Sequence, residues 1–310
     1  MIFALRGIMV SLAFFAIVYS FLSLAALLVW RFVRLSGRQA KISARGLFAL
    51  RVMPFALAAA ISLFLTLPSF LLLERHSLDE DFGTFFLSAC ALLILGGGLY
   101  RVVAAEIRTR RIVSACLDQS TDLASNLGDP TIVRSQSIPP LMLVGIRVPR
   151  ILISASACEV LSEDELQAAV RHERAHFRSR DNLKKAILNC LPFAGMASLE
   201  NAWQEASELA ADDSAVSSRD EALDLAAALI KMARHFPGQR MPDLATGLVS
   251  ATGSITGRVE RLVAWRESSV TRRINWRYGM VAALLLVCGF AAKVGPVLVL
   301  VHSLTERLVP

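Results

Sequence analysis

Two histidines and a glutamate occur together in the sequence His172-Glu173-Arg174-Ala175-His176. Residues four apart lie on one face of a helix, so both imidazoles can contact a single metal ion. Glu173 lies about 100° round the helix from His172, within reach of a water molecule at that ion. The spacing therefore predicts a zinc site in which His172 and His176 are ligands and Glu173 is the general base of a hydrolysis.

A catalytic zinc site needs a third protein ligand and leaves one position for water. We expect Glu208 to be that ligand, since it lies on a separate predicted helix with Asp212 four residues later on the same face. Asp212 would then accept a hydrogen bond from the second ring nitrogen of a ligand histidine and fix its tautomer. Glu205 and Asp213 are the competing positions. Any one of these acids alone would be interpreted as part of a solvated helix face.

The predicted chemistry is hydrolysis of a peptide bond. A zinc ion would lower the pKa of water toward about 7 and polarise the scissile carbonyl. Glu173 would take a proton from the attacking water and later pass it to the leaving amine. The oxyanion formed in between would need a further donor. His235 and Arg258 are candidates, although a lone histidine or arginine is more often structural and nothing in the sequence singles either out.

The helix that must carry the histidines has a clear start in the sequence. Ser162 and Glu165 match a capping box, and acidic residues fill the first turn, so we expect a helix from Ser162 to about Arg180. Three further helices are expected, over residues 200–216, 220–234 and 256–267. The segment 186–199 is apolar, and it fits core packing as well as a surface that lies against a membrane or covers a cleft.

Upstream of this helix the sequence predicts a small sheet. A charged helix is expected over residues 106–127, ended by a Gly-Asp-Pro turn. Short runs of β-forming residues then predict a twisted sheet or hairpin at 131–133, 141–144 and 150–154. Between the helices, residues 236–253 are rich in turn-forming residues.

Long apolar blocks predict helices that cross a membrane. Of the 310 residues, 55% are hydrophobic and 19% are charged, and the mean hydropathy is +0.52. Soluble domains have about 45–50% apolar and about 25% charged residues. Four blocks approach the roughly 20 residues that cross about 30 Å of hydrocarbon. They are 7–30, 52–73, 82–100 and 279–301. The last contains Lys293 and Pro296, but a lysine near its end can extend to the lipid headgroups.

The charges between the blocks predict the orientation in the membrane. Residues 31–51 contain six basic residues and no acid, whereas residues 74–81 contain four acids and one arginine. By the positive-inside rule the first link is cytoplasmic and the second lies outside. The segment 106–278 would then be cytoplasmic and both termini outside. We therefore expect a multi-pass protein of the cell inner (plasma) membrane, with the lipid bilayer as one partner.

The charge distribution argues against a nucleic-acid-binding protein. The formal net charge is +7, but residues 106–278 contain 22 Lys and Arg against 21 Asp and Glu. Most of the excess positive charge is in the link 31–51. The high isoelectric point is therefore a feature of membrane topology, and no DNA or RNA partner is expected.

The region around the motif resembles the BlaR/MecR-type membrane metallopeptidases, which are gluzincins. The resemblance rests on SEDELQAAVRHERAHFRSRDN at 162–182, on Trp203 and on ELAADDSAV at 208–216. In addition, GIRVPRILIS at 145–154 is similar to the strand before the zinc helix of that family. The HtpX and CAAX prenyl protease families share the zinc pattern, but their arrangement of spans fits less well.

The resemblance implies a complete architecture and site. We expect a mainly α integral membrane protein, in which a cytoplasmic α+β zincin-like domain is inserted between the third and fourth of four transmembrane helices. The expected parts are residues 1–105, 106–278 and 279–310. By analogy the zinc ligands are His172, His176 and Glu208, the base is Glu173, and Asp212 supports a ligand. The implied substrate is a cytoplasmic or membrane-associated protein, such as a transcriptional repressor, cleaved in regulatory proteolysis.

One departure from that family concerns the signal. Its sensor members carry an extracellular penicillin-binding domain after the last span, whereas residues 302–310 follow the fourth block here. Direct β-lactam sensing is therefore not expected. A signal would have to come from the spans, the short links or a separate sensor protein.

Three other functions are weighed against the regulatory endopeptidase. One is a non-catalytic membrane transducer or scaffold that retains the zinc fold, although a structural zinc site would not need the base Glu173. Another is a membrane protein quality-control protease. The third is proteolysis within the bilayer, which the charges on the motif helix disfavour. Those charges are Glu163, Asp164, Arg171, Arg174, Arg178 and Arg180.

Overall fold

A computed structural model describes most of the chain. The described residues are 2–37, 42–73, 82–117, 121–124, 130–135, 141–236, 245–248, 255–266 and five positions after 298. The chain divides into two compact units. Met1–Phe32 and Leu50–Gly96 belong to the first, and Val33–Ala49 and Gly97–Glu267 make up the second.

Long apolar helices dominate the N-terminal third of the chain. They are α1 (Ile2–Leu35), α2 (Ala44–Ile61), a π-helical turn (Ser62–Thr66), α3 (Leu67–Leu73) and α4 (Phe82–Leu117). By length and composition, three helical stretches could cross a membrane, namely Phe3–Leu35, Ala44–Leu73 and Phe82–Arg111. They contain the first three predicted spans. The fourth predicted span, 279–301, lies outside the described residues except for positions 299 and 300, and the acidic link 74–81 lies outside them too.

The surfaces of these helices suit a lipid environment. Large apolar side chains point outward, with Phe21, Phe64 and Leu93 at 70%, 67% and 76% exposure. Side chains of this kind are rarely exposed in groups on a soluble protein. The π-helical turn comes just before Pro68, which has no N–H and whose ring would clash with the carbonyl four residues earlier. The wider turn accommodates that proline without ending the helix.

A five-stranded sheet lies in the second unit. Its strands are β1 (Thr121–Ala124), β2 (Thr131–Ser135), β3 (Leu141–Val144), β4 (Arg150–Ser154) and β5 (Ala245–Gly247). The order is β1-β2-β4-β3-β5, with β2 and β4 parallel and the other pairs antiparallel. The three predicted strands are confirmed. The predicted helix over 106–127 is wrong at its end, because α4 stops at Leu117 and β1 follows.

Six helices complete the second unit. They are α5 (Ala155–Val160), α6 (Glu163–Ser179), α7 (Asp181–Cys190), α8 (Ala197–Ala215), α9 (Arg219–His235) and α10 (Ile255–Val263). The expected helices are confirmed to within a few residues. The capping box of α6 is present, since the Ser162 hydroxyl accepts from the Glu165 N–H at 3.3 Å and the Glu165 carboxylate accepts from the Ser162 N–H at 2.8 Å. This cap fixes where α6 begins.

The main hydrophobic core fixes the orientation of α6. Leu143 and Ile151 from the sheet are buried with Ala168 and Ala169 of α6 and with Leu229 of α9. Burial of a leucine or isoleucine side chain contributes about 1.5–3 kcal/mol. Because alanines occupy the core-facing side of α6, the helix lies close to the sheet. The interpretation of 186–199 as packed core is supported in part, since Ile187 and Phe193 are half-buried and the other four large apolar residues are buried. These are Leu188, Leu191, Met196 and Leu199.

Within the second unit, the part of α4 from Gly97 onward and the first residues of α2 contact the helices that follow α6. On α4, a Cβ at Gly98 would clash with the carbonyl oxygen of Cys190, the last residue of α7. Only glycine permits so close an approach of two backbones. At the start of α2, the ring of Phe48 lies 6.2 Å from that of Trp203, a buried residue of α8. Helices α7 and α8 are therefore each packed against another segment of the same unit.

Candidate metal centre

Two imidazole rings face each other on α6. His172 and His176 are one turn apart, their ring centroids are 4.7 Å apart, and the rings are nearly perpendicular at 85°. Their Nε2 atoms lie 3.1 Å apart, and both side chains are fully buried. Two such nitrogens cannot both present lone pairs at this distance unless a proton or a cation lies between them.

Glu208 on α8 completes a three-residue group. Its carboxylate oxygens lie 3.5 Å from His172 Nε2 and 3.8 Å from His176 Nε2. One potential ligand atom from each residue lies within 4.8 Å of the other two. The competing acids on α8 are not brought to this point. Glu205 is exposed, and Asp213 is exposed and paired with Arg261 at 2.6 Å.

The three residues fit a metal ion in both distance and donor type. Ligand bonds of about 2.0–2.1 Å in a tetrahedral site place donor atoms about 3.3 Å apart. The observed separations, from 3.1 Å to 3.8 Å, lie around that value. Two neutral imidazoles and one carboxylate are a donor set that zinc takes in hydrolytic sites. The group can therefore hold a divalent metal between α6 and α8.

Each histidine also contacts a carboxylate through its other ring nitrogen. His172 Nδ1 lies 3.0 Å from Asp212 Oδ1, but the two atoms do not form a hydrogen bond. His176 Nδ1 lies 2.8 Å from Asp181 Oδ2. Such a carboxylate orients the ring and increases the basicity of the opposite nitrogen. Asp212 lies beside a ligand histidine as the sequence predicted, but the predicted hydrogen bond between them is not formed, and the contact of Asp181 was not predicted.

Asp181 reaches His176 because of an unusual backbone conformation. Arg180, between α6 and α7, has φ of 55° and ψ of 40°, which is the left-handed helical region. This residue ends α6 and turns the chain so that α7 begins beside the last turn of α6. Asn182, which follows Asp181 in the chain, donates hydrogen bonds from Nδ2 to the carbonyls of Leu143 and Gly145 at 3.1 Å and 3.2 Å. The start of α7 is thus fixed to both α6 and β3.

Arg258 lies behind the ligands. Its guanidinium donates to both oxygens of Asp212, at 2.8 Å and 2.6 Å, and to the Leu248 carbonyl at 2.9 Å. Its Nη1 is also 2.9 Å from Glu208 Oε2. Its side chain is only 4% exposed. The guanidinium is therefore directed at protein carboxylates, which argues against its interpretation as an oxyanion donor. His235, the other candidate, is exposed and contacts the Lys231 carbonyl.

Glu173 lies next to the ligand group and is fully buried. One carboxylate oxygen, Oε2, accepts a hydrogen bond from the Leu143 N–H of β3 at 3.1 Å. The other, Oε1, has no hydrogen-bond partner among the described residues. Burial raises the pKa of Glu173 to about 7, against the opposing effect of the two histidines. A carboxyl group with a pKa near neutrality can both accept and release a proton.

The carboxylates around the rings favour positive charge between them. Burial lowers the pKa of His176, but Asp181 and Glu208 outweigh burial and raise it to about 10. For His172 the balance has the same sign, because Asp212 and Glu208 again outweigh burial and raise its pKa. Burial raises the pKa of Glu208, but the histidines and Arg258 hold it well below its usual range. This field stabilises a proton or a metal cation at the same place.

Comparison with known families agrees with this geometry. A model of the family described as BlaR1 peptidase M56 matches residues 87–262, a little more than half of the chain. The matched segment contains all residues of the group and both of its supporting carboxylates. No curated protein matches the chain. The resemblance predicted from the sequence motifs is confirmed.

Proposed function

Because this chain belongs to the BlaR1 peptidase M56 family, we propose that it is a membrane-tethered zinc endopeptidase. Its three apolar helices and its family indicate a membrane-associated protein of metallopeptidase type. The observation that carries the proposal is the buried group of His172, His176 and Glu208 with Glu173 beside it. A purely structural metal site would have no use for an additional buried carboxyl whose pKa is near 7.

The roles of the residues follow from their positions. His172, His176 and Glu208 would hold the zinc ion, which when bound supplies a Lewis acid for the peptide carbonyl and a more acidic water. Glu173 accepts the proton of the attacking water on Oε1, since Oε2 is held by the Leu143 N–H. It then returns the proton to the leaving amine. Asp212 and Asp181 keep the two rings aligned during this cycle.

The proposal includes the topology predicted from the link charges. In this arrangement the domain 106–278 is cytoplasmic, lies between the third and a fourth span, and is anchored in the inner membrane with both termini outside. The support is the six basic residues in 31–51 against the four acids in 74–81. A cysteine-accessibility assay on single cysteines introduced in those two links would test it, and labelling of the 31–51 link from outside would contradict it.

The proposed substrate is a cytoplasmic or membrane-associated protein cleaved in regulatory proteolysis. A transcriptional repressor as substrate and a separate sensor protein as partner come from the family resemblance alone. Substrates can be found by comparing the proteomes of cells that carry the wild-type chain or Glu173→Gln. Fragments that appear only with the wild type would identify cleaved proteins.

The decisive experiment separates metal binding from turnover. Glu173→Gln keeps the ligand set, so the purified full chain should retain zinc while its peptidase activity falls by at least about 100-fold. Glu205→Gln is the matched control, because Glu205 is an exposed carboxylate on α8 that is not in the group. Wild-type rates of cleavage in Glu173→Gln would contradict the proposal, as would a wild-type chain that binds no zinc.

A further inference from the structure

A cavity of about 710 Å³ lies beside the metal-binding group. It is formed between the loop that joins β3 to β4 and the junction of α6 and α7. Its lining includes His176 and Asp181, and also Leu143, whose N–H contacts Glu173. Cavities of this size typically hold ligands as large as a short peptide segment. The cavity therefore borders the metal-binding group at His176.

Three arginines line this cavity. Arg147 comes from the β3–β4 loop, Arg178 from the last turn of α6, and Arg180 from the α6–α7 junction. All three are exposed, and none makes a side-chain hydrogen bond or an ion pair within the described part of the chain. The acid in the lining, Asp181, is already bound to His176 and to Lys184 at 2.8 Å each. The cavity consequently carries uncompensated positive charge.

The conformation of Arg180 is an independent observation at the same place. Among the described residues, Arg180 is the only one other than glycine that has a positive φ. Most side chains are strained in this region, and glycine or asparagine would relieve the strain. The helix junction needs only the left-handed turn, which glycine provides best. An arginine here is explained by a use for its guanidinium, which lines the cavity.

The rest of the lining suits a polypeptide. Ile146, Val148, Phe177 and Leu183 supply apolar surface between the arginines. Guanidinium groups bind carboxylates through two parallel hydrogen bonds, with a preference set by geometry as well as charge. A chain with acidic side chains among apolar ones matches both features. Because His176 is one of the lining residues, such a chain would be adjacent to the metal-binding group.

We propose that this arginine cavity binds acidic side chains of the polypeptide that is cleaved, and so selects substrates with acidic residues near the scissile bond. The identity of the ligand as substrate rests on the proposed function. The binding itself does not, since the cavity and its charges exist whether or not the site turns over. Binding and cleavage can therefore be tested separately.

The test uses the full chain carrying Glu173→Gln in nanodiscs of neutral lipid. The probe is a short fluorescein-labelled peptide of glutamates among leucines, and its reference has glutamine at each glutamate. Fluorescence anisotropy should show tighter binding of the glutamate peptide, weakening as salt is added. Arg147→Gln, Arg178→Gln and Arg180→Asn should each lower that affinity about fivefold. Asparagine is chosen at 180 because it tolerates the left-handed conformation.

Matched controls are available on α9. Arg219→Gln and Arg234→Gln remove the same charge from exposed arginines that do not line the cavity, and they should leave the affinity unchanged. Zinc content and the midpoint of thermal unfolding are measured for every variant, so a loss of affinity in a folded, zinc-loaded chain can be assigned to the cavity. Each single variant is measured as well as the triple one.

Several outcomes would overturn the proposal. They are equal affinity for the two peptides, an unchanged affinity in the folded triple variant, or equal losses in the α9 controls. A fourth is that nanodiscs containing anionic lipid displace the peptide and that the arginine variants lose binding to anionic vesicles. These two results together would assign the cavity to lipid headgroups. Peptide binding without any cleavage by the wild type would instead contradict the proposed function and leave the cavity intact.

Discussion

The two histidines of the metal-binding group are supported in different ways. His172 is paired with Asp212 of α8, and that carboxylate is held by two hydrogen bonds from Arg258, 46 residues away and 4% exposed. His176 is paired with Asp181 of α7, whose other partner is Lys184, three residues on and 23% exposed. The carboxylate and cation that support His172 come from two helices, α8 and α10, whereas those that support His176 both lie on α7.

Because the two supports differ in this way, we expect one to affect the stability of the fold and the other to affect the alignment of a metal ligand. The Asp212–Arg258 pair is desolvated, so either partner without the other would be a buried, uncompensated charge. The Asp181–Lys184 pair borders solvent, and the lysine can be hydrated if its partner is lost. The support at His172 should therefore be coupled to folding, whereas the support at His176 should act mainly on the metal.

The largest expected effect is at Arg258. Arg258→Met leaves Asp212 and Glu208 without their cation, and in the zinc-free protein it should destabilise the fold by about 3–5 kcal/mol. Unfolding of the full chain in detergent, with zinc chelated, measures the effect. Arg261→Met is the matched control, because Arg261 lies on the same helix and pairs with exposed Asp213. It should cost about 0–1 kcal/mol. Equal costs for the two variants would remove the contrast on which the comparison depends.

Loss of the other carboxylate should weaken metal binding more than folding. Asp181→Asn should lower zinc affinity about 10- to 100-fold, because the His176 ring loses the partner that orients it. Competition with a chromophoric zinc chelator measures the change, with Asp213→Asn as the control. Asp212→Asn should show a similar loss of affinity and a loss of stability in addition. If Asp181→Asn destabilised the fold as much as Asp212→Asn, the two supports would be equivalent.

A smaller effect is expected at the cation of the local pair. Lys184→Gln removes one ion pair at 2.8 Å that borders solvent, and the expected cost is about 1 kcal/mol or less. Zinc affinity should stay within a few-fold of the wild type, because Asp181 remains in contact with His176. Unfolding and chelator competition on the same preparation give both values. A loss of zinc as large as that in Asp181→Asn would show that the lysine is needed to position the carboxylate.

The smallest effect provides a reference far from the metal. Burial raises the pKa of Glu165, but hydrogen bonds from Lys231 and Ser162 outweigh it, so its pKa in the folded state is lowered from the ordinary value. A lowered pKa stabilises the fold above the unfolded value of about 4.3, and the contribution is lost as pH falls through the folded pKa. Glu165→Gln should cost about 0.5 kcal/mol at neutral pH. Thermal unfolding should show the difference from wild type vanish in acid, and a difference that persists there would contradict it.

Features that depend on local sequence were predictable. Helix α6 was located by its capping box and by the spacing of His172 and His176, because both are set within a few turns of one helix. Glu208 and Asp212 were placed correctly on α8 by their spacing of four. Of the four long apolar blocks predicted to cross a membrane, three are membrane-length helices and the fourth lies almost entirely outside the described residues. Length and composition alone decide that property.

Features that depend on tertiary contacts were not predictable. Strand β5 has only three residues and exists through its pairing with β3, about a hundred positions earlier. The role of Asp181 depends on the left-handed turn at Arg180, for which arginine is not a usual residue. The position of Arg258 follows from the packing of α10 across α8 and α9, and no motif in its own neighbourhood indicates it.

The contact of Gly98 with Cys190 restricts rotation of α4 about its own axis. A turn of about 100°, the angle of one residue, would bring the side chain of Leu99 against the carbonyl that Gly98 now meets. Gly96 and Gly97 have open space where a Cβ would be, so alanine fits at those positions and not at 98. Since α7 begins at Asp181, the missing side chain at position 98 permits close packing, inside the second unit, against the helix that orients His176.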